Sequence, residues 1–241
     1  MSVHWYAYPT PQEAAEACAR QIVVLLEEAL SGRPRAAFAV SGGVTPRPLF
    51  EALARCALPW NKIHLFWVDE RPVSPNHPDS NYGVAEAALI KPARIPRQNV
   101  HRIAGEFRPE SAAARYAEEI REFFDLSAGD LPQFDVVQQG MGADGHTASL
   151  FPGELRFDDA DAIAAAVFVK AKGEWRITLT PAVLMAARHT LFLVSGEEKA
   201  EAVRAVFHEE ADAVRRPAQA ISHHGRSVIW YLDQAAARLM D

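Results

Sequence analysis

The chain has 241 residues, 49% hydrophobic and 23% charged, enough for one large α/β domain or two small ones around a substantial core. A net charge of −6, with no long run of one sign, argues against a general nucleic-acid binder, whose footprint is a basic stripe. Cys18 and Cys56 are the only cysteines, too few for a disulfide scaffold or a four-cysteine zinc site; no apolar run approaches membrane-spanning length and no signal-peptide pattern opens the chain, so the expected location is the cytoplasm.

Thr10-Pro11-Gln12-Glu13 reads as a helix start, with Thr10 as N-cap, Pro11 first and Glu13 third. The helix is expected to reach Leu30, with Ile22, Leu25, Leu26 and Ala29 on one face and Cys18 inside as a small apolar residue. Gly32 and Pro34 stop it. Residues 36–40 read as a buried strand, and a helix opens at Pro46 with Thr45 as its cap. Residues 63–68 form the next strand, and Ser80-Asn81 begins a helix running to about Leu89. Residues 109–126 are helical, with Tyr116, Ile120, Phe123 and Phe124 as the apolar face. Strands follow at 134–138, 162–169 and 176–180, the last two joined by the turn Lys172-Gly173-Glu174. A helix starts at Pro181, a strand spans 190–194, a helix spans 197–207, and a late strand at 227–232 precedes a short terminal helix. His223-His224 read as loop residues. No repeat or linker divides the chain, so the expectation is a single α/β domain over residues 1–241: a mainly parallel sheet with helices on both faces.

Four turn-rich motifs follow apolar strand-like runs. If those strands are parallel, all four loops leave the sheet at one edge, where open α/β sheets bind ligands. Ser41-Gly42-Gly43-Val44-Thr45-Pro46 joins a strand to a helix. Its paired glycines and the helix N-terminus suit an anion, although a tight, well-capped turn would look the same. No Walker Gly-Lys-Ser/Thr follows. Asp69-Glu70-Arg71 offers a guanidinium for a phosphate or carboxylate and a carboxylate for a sugar hydroxyl or water; alone it would read as a surface loop with local ion pairs.

Gly140-Met141-Gly142-Ala143-Asp144-Gly145 formally matches the dinucleotide pattern G-x-G-x-x-G. Pro152-Gly153 ends the segment too soon for the required helix, and Asp144 would put negative charge where pyrophosphate sits. The loop instead presents Asp144 and His146, a carboxylate beside an imidazole able to take a proton. Lys199 stands in the first turn of a helix opened by Ser195-Gly196, against the helix dipole, which an anion would explain. Arg176 can join the same cluster; for both, a solvated surface cation is the alternative. A nucleophile elbow, H-E-x-x-H and Cys/His metal spacing are all missing.

In this order the motifs resemble the 6-phosphogluconolactonase family, related to glucosamine-6-phosphate deaminases. The similarity runs from Ser41 to Lys199 and includes Trp230-Tyr231-Leu232-Asp233 with Ala235-Ala236. It implies a Rossmann-like α/β fold and hydrolysis of 6-phospho-D-glucono-1,5-lactone to 6-phosphogluconate in the oxidative pentose phosphate pathway. No metal or organic cofactor is implied, and the partner is a phosphorylated sugar lactone, with no nucleic acid and no membrane. His146 is the implied general base and Asp144 its orienting group. Ser41, Gly42, Gly43, Thr45, Asp69, Arg71, Arg176 and Lys199 are the implied substrate and phosphate contacts.

Three departures stand out. Val44 replaces a common hydroxyl, Gln138-Gln139 replaces a more apolar strand end and is expected to alter packing under the catalytic loop, and Gly153-Glu154 follows Pro152 with no role assigned to Glu154. The rival readings are a glucosamine-6-phosphate deaminase and a non-catalytic sugar-phosphate sensor. The deaminase motif continues after its His with Asn-Glu-Pro, where this chain has Leu150-Phe151-Pro152 and so lacks the carboxylate. A sensor would usually carry a DNA-binding module, and no basic helix-turn-helix segment is visible.

Overall fold

Buried apolar runs separated by amphipathic helices assemble into a seven-stranded parallel sheet in the computed structural model, which describes residues 3–43, 45–154 and 162–240. The departure at Val44 lies outside these described residues. In chain order the elements are β1 (His4–Tyr8), α1 (Pro11–Gly32), β2 (Ala36–Val40), α2 (Arg47–Ala54), β3 (Ile63–Trp67), β4 (Asp69–Glu70) and α3 (Asn81–Ala85). A π turn (Glu86–Ile90) leads from α3 into α4 (Lys91–Ala93), followed by β5 (Val100–His101), α5 (Pro109–Phe124) and β6 (Val136–Gln139). Then come β7 (Ala164–Val169), β8 (Glu174–Leu179), α6 (Pro181–Ala186), β9 (His189–Val194), α7 (Ala200–His208), α8 (Pro217–His224) and β10 (Val228–Asp233).

The large sheet has the order β1-β10-β9-β6-β2-β3-β5, and every pairing in it is parallel. From β2 the chain steps one way to β3 and β5, whereas β6, β9 and β10 lie on its other side. The reversal falls between β2 and β6, and at such a switch point a crevice opens beyond the carboxyl ends of the strands. The loops after β2, β3, β6 and β9 therefore share one edge. β7 and β8 are strands, as expected, but they belong to a second, antiparallel sheet of order β4-β8-β7. Val68 joins the two sheets: its N–H donates to Val40 O at 2.9 Å, and its carbonyl accepts from Leu179 N at 2.8 Å.

All five residues of β2 are buried, as a strand covered on both faces requires. The α1 capping box is present: Thr10 Oγ1 accepts from Glu13 N at 3.2 Å and Glu13 Oε2 accepts from Thr10 N at 3.1 Å. Such a cap contributes about 1 kcal/mol. Ala14, Cys18, Ile22 and Leu26 of this helix are fully buried. Phe192 and Trp230 stack at 4.0 Å, and the Tyr116 hydroxyl ties α5 to β3 through both Trp67 N (2.9 Å) and Trp67 O (2.8 Å).

Four local readings change. Thr45 does not cap α2, because the helix starts at Arg47 with Pro46 as an N-cap that makes no side-chain bond. β1 went unread; as an edge strand on β10 it is largely exposed and lacks a buried-run signature. His223 and His224 occupy the last turn of α8 rather than a loop. After β10 the chain forms turns, not a helix, with Asp233 Oδ1 accepting from Ala236 N at 2.8 Å.

Candidate active site

The catalytic-loop candidate starts where β6 ends. Gln138 and Gln139 are both buried, and each makes a loop-holding bond: Gln138 Oε1 accepts from Ser41 N at 3.3 Å, and Gln139 Oε1 accepts from Thr147 Oγ1 at 2.6 Å. The polar strand end pins the loops after β2 and β6 through hydrogen bonds where apolar packing would supply none. Within the loop, Gly142 N donates to His146 O at 2.9 Å and Gly145 N to Gly142 O at 3.0 Å. Gly145 has φ +81°, a conformation that favours glycine. A Cβ on Gly142 would stand 2.1 Å from His146 Nδ1 and 2.5 Å from Asp144 Oδ1, so only glycine admits the pair.

His146 Nδ1 and Asp144 Oδ1 are 2.5 Å apart. Burial pushes the Asp144 carboxyl up, but the hydrogen bond and charge of His146 outweigh it and hold its pKa at about 2. An ionised carboxylate only accepts, so Nδ1 carries the proton, and in the neutral form of the ring the lone pair is on Nε2. Phe151 stacks on the imidazole at 4.3 Å, with 26° between the planes.

The β4 loop is clasped to its neighbours by Asn81. Its Nδ2 donates to Asp69 O (2.8 Å) and Asp69 Oδ1 (3.1 Å), and its Oδ1 accepts from Arg71 Nη1 (2.7 Å). A Cβ on Gly42 would lie 2.0 Å from Asn81 Cγ, so the cradle glycine is required by this contact. Asp69 Oδ2 accepts from Ser149 Oγ at 2.6 Å, tying in the 140–152 loop. Beneath them buried Glu70 accepts from the main-chain N–H groups of Arg71, Asn81 and Tyr82 at 2.7, 2.8 and 2.8 Å. Its burial raises the carboxyl pKa, and those three bonds oppose the rise.

Ser41, Gly42, Thr45, Asp69, Arg71, His146, Arg176 and Lys199 line one cleft of about 170 Å³. Asp144 stands behind His146 instead of on the wall, and Gly43 faces a neighbouring depression with Arg47 and His77. Arg176 is nearly buried, its Nη1 fixed by Glu174 Oε2 at 2.5 Å and Trp175 O at 3.0 Å. Lys199 ends a 3-10 turn (Glu197–Lys199) ahead of α7 rather than lying within its first turn. Asp233 holds that loop by accepting from Gly196 N at 3.1 and 3.2 Å. Asn81, Gln138, Ser149, Phe151 and Lys172 also line the cleft and were not singled out as site residues in the sequence. Gln138 and Ser149 are placed by partners far along the chain, Ser41 and Asp69, which no local pattern marks, whereas Phe151 packs on His146 within the same loop. Glu154 receives a contact too: its Oε1 accepts from Lys170 N at 3.1 Å.

A carboxylate-backed histidine and several fixed cations in one strand-edge cleft define an α/β enzyme for an anionic small molecule. A family model described as glucosamine-6-phosphate isomerases/6-phosphogluconolactonase matches residues 9–230, and the chain belongs to that family. It is 42% identical over 217 residues to the 6-phosphogluconolactonase of Synechocystis sp., covering 89% of each chain. It is 36% identical over 242 residues to that of Aggregatibacter actinomycetemcomitans, covering 99% of this chain and 100% of the relative. The solved structure of 6-phosphogluconolactonase from Trypanosoma brucei superposes with a TM-score of 0.85 at 28% identity, covering 100% and 99% of the two chains. These relatives identify the chain as a lactonase hydrolase. Among the described residues no helix is long and apolar enough to cross a membrane.

Proposed function

We propose that the chain hydrolyses 6-phospho-D-glucono-1,5-lactone to 6-phosphogluconate, with His146 as the general base. The observation that carries the reading is the 2.5 Å bond between His146 Nδ1 and Asp144, which leaves Nε2 basic on a ring lining the cleft. Water placed between Nε2 and the lactone carbonyl gives its proton to Nε2 as its oxygen bonds to C1. The tetrahedral oxyanion then collapses, the bond from C1 to the ring oxygen breaks, and His146 returns the proton to that departing oxygen. The new carboxylic acid loses its own proton to solvent. Asp144 fixes the tautomer and stabilises the imidazolium formed in between.

The phosphate belongs at the other end, on Ser41, Gly42 and Thr45 with Arg71 and Lys199. Arg71 commits Nη1 to Asn81 Oδ1 and Asp79 O, and its Nε is buried without a protein partner among the described residues. Its orientation is thus set before an anion arrives. Binding the phosphate positions the ring for attack. The test is acid release from freshly generated lactone, followed above the spontaneous rate. No enzyme-dependent release would refute the proposal.

A further inference from the structure

Four cations line the cleft: Arg71, Lys172, Arg176 and Lys199. Three are held by polar groups. Arg71 is fixed by Asn81 and Asp79, Arg176 by Glu174 and Trp175, and Lys199 lies 4.0 Å from Glu198. Lys172 differs: among the described residues no hydrogen bond or ion pair holds its ammonium, which sits 4.9 Å from the centroid of the Phe151 ring. The nearby carboxylate, Glu174, is taken by Arg176 at 2.5 Å. Phe151 is the same ring that stacks on His146. The unclaimed charge therefore stands one aromatic ring away from the proposed base.

Its carrier is fixed, not a loose tether. Lys172 N donates to Val169 O at 3.0 Å and Gly173 N to the same carbonyl at 2.9 Å, closing the β7–β8 turn. Gly173 takes φ +65° there. The bond from Lys170 N to Glu154 then ties this turn to the end of the catalytic loop. The aromatic face under the ammonium attracts a cation without neutralising it. An anion can still compete for Lys172.

Resting on the function proposed above, we infer that Lys172 is a substrate-contacting cation at the lactone end of the cleft. It pairs with the oxyanion that develops at C1 and with the carboxylate the product carries there. The phosphate is served by Arg71, Lys199 and the Ser41-Gly42 cradle instead. Lys172 thus distinguishes acid product from other sugar phosphates of the same length.

The test compares inhibition by 6-phosphogluconate with that by glucitol 6-phosphate, which has the same phosphate but an alcohol at C1. In Lys172→Met the inhibition constant for 6-phosphogluconate should rise by about 10-fold or more, the usual loss for a charge-assisted hydrogen bond. The constant for glucitol 6-phosphate should change by less than about twofold, within the small effects expected for a group that does not touch the ligand. kcat should fall, and Lys172→Arg should recover most of both effects. An unchanged melting temperature establishes that the variant is folded. Equal weakening of both inhibitors, or weakening of neither, overturns the inference. A wild-type protein that neither hydrolyses the lactone nor binds 6-phosphogluconate would instead refute the parent reading.

Discussion

Asp144 Oδ1 accepts two hydrogen bonds from one residue: the His146 ring Nδ1 at 2.5 Å and the His146 main-chain N–H at 3.2 Å. Ring and backbone are thereby locked to the same oxygen, which fixes both the tautomer and the direction of the imidazole. His146→Ala should lower kcat by about two to four orders of magnitude, the usual contribution of a general base, with a much smaller change in KM. Asp144→Asn should cost about 100-fold or more, because a carboxamide can present its NH₂ to Nδ1 and favour the wrong tautomer. Steady-state kinetics on the folded variants decides the matter; near-wild-type turnover in His146→Ala would remove it from the mechanism.

Gly142 is sterically bound to this pair. Gly142→Ala introduces a Cβ that would stand 2.1 Å from His146 Nδ1, so the ring or the loop must move. A misplacement of about 1 Å at a reacting group costs about 100-fold in rate. The variant should lose kcat while keeping a cooperative thermal transition. Full activity would mean that the orientation of the imidazole does not matter.

Phosphate recognition can be separated from chemistry. Arg71→Met and Lys199→Met should each raise KM for the phospholactone, and inorganic phosphate should compete with it. Gluconolactone without phosphate should be a poor substrate. Equal efficiency on the two lactones would show that the cradle does not select phosphate.

The deaminase alternative turns on Phe151, which stacks on His146 where that pattern places a carboxylate. An aromatic ring shapes the pocket wall but transfers no proton. No ammonia should be released from glucosamine 6-phosphate at any pH where the protein stays folded. Enzyme-dependent release in a coupled ammonia assay would count decisively against the lactonase mechanism.

A pH-dependent contribution to stability lies away from the cleft. His64 Nδ1 is 2.9 Å from His101 Nε2, and His101 Nδ1 is 2.7 Å from Glu119 Oε1. Burial pushes the His64 imidazole down to about 4, and the charges of His101 and Arg35 add to the effect. An unfolded His titrates near about 6.5. Between these values the unfolded chain binds the extra proton, so this contribution is complete above about pH 6.5 and is lost as pH falls toward 4. Denaturant melts at pH 7 and pH 5 should show a smaller pH-dependent loss for His64→Leu than for the wild type. An equal loss would assign the effect to other groups.

The order of strands and helices was legible because β2 is a continuous buried run, β3 and β9 are buried at all but one position each, and α1 carries its own capping box, signals local in the chain. The glycine loops, His146 and Asp144 were legible for the same reason: the pair is two residues apart, so sequence distance bounds spatial distance. β1 escaped because an exposed edge strand carries no buried pattern. Thr45 was misread as a cap because the same residue type serves turns and helix starts alike. Only the tertiary structure decided that Asn81 joins Gly42 to Arg71, that Ser149 reaches Asp69, and that Gln138 and Gln139 pin the loops. Each of those contacts depends on strand register and on the meeting of separate loops at the β2/β6 switch point. That geometry arises from packing the whole sheet, so no short stretch of sequence encodes it.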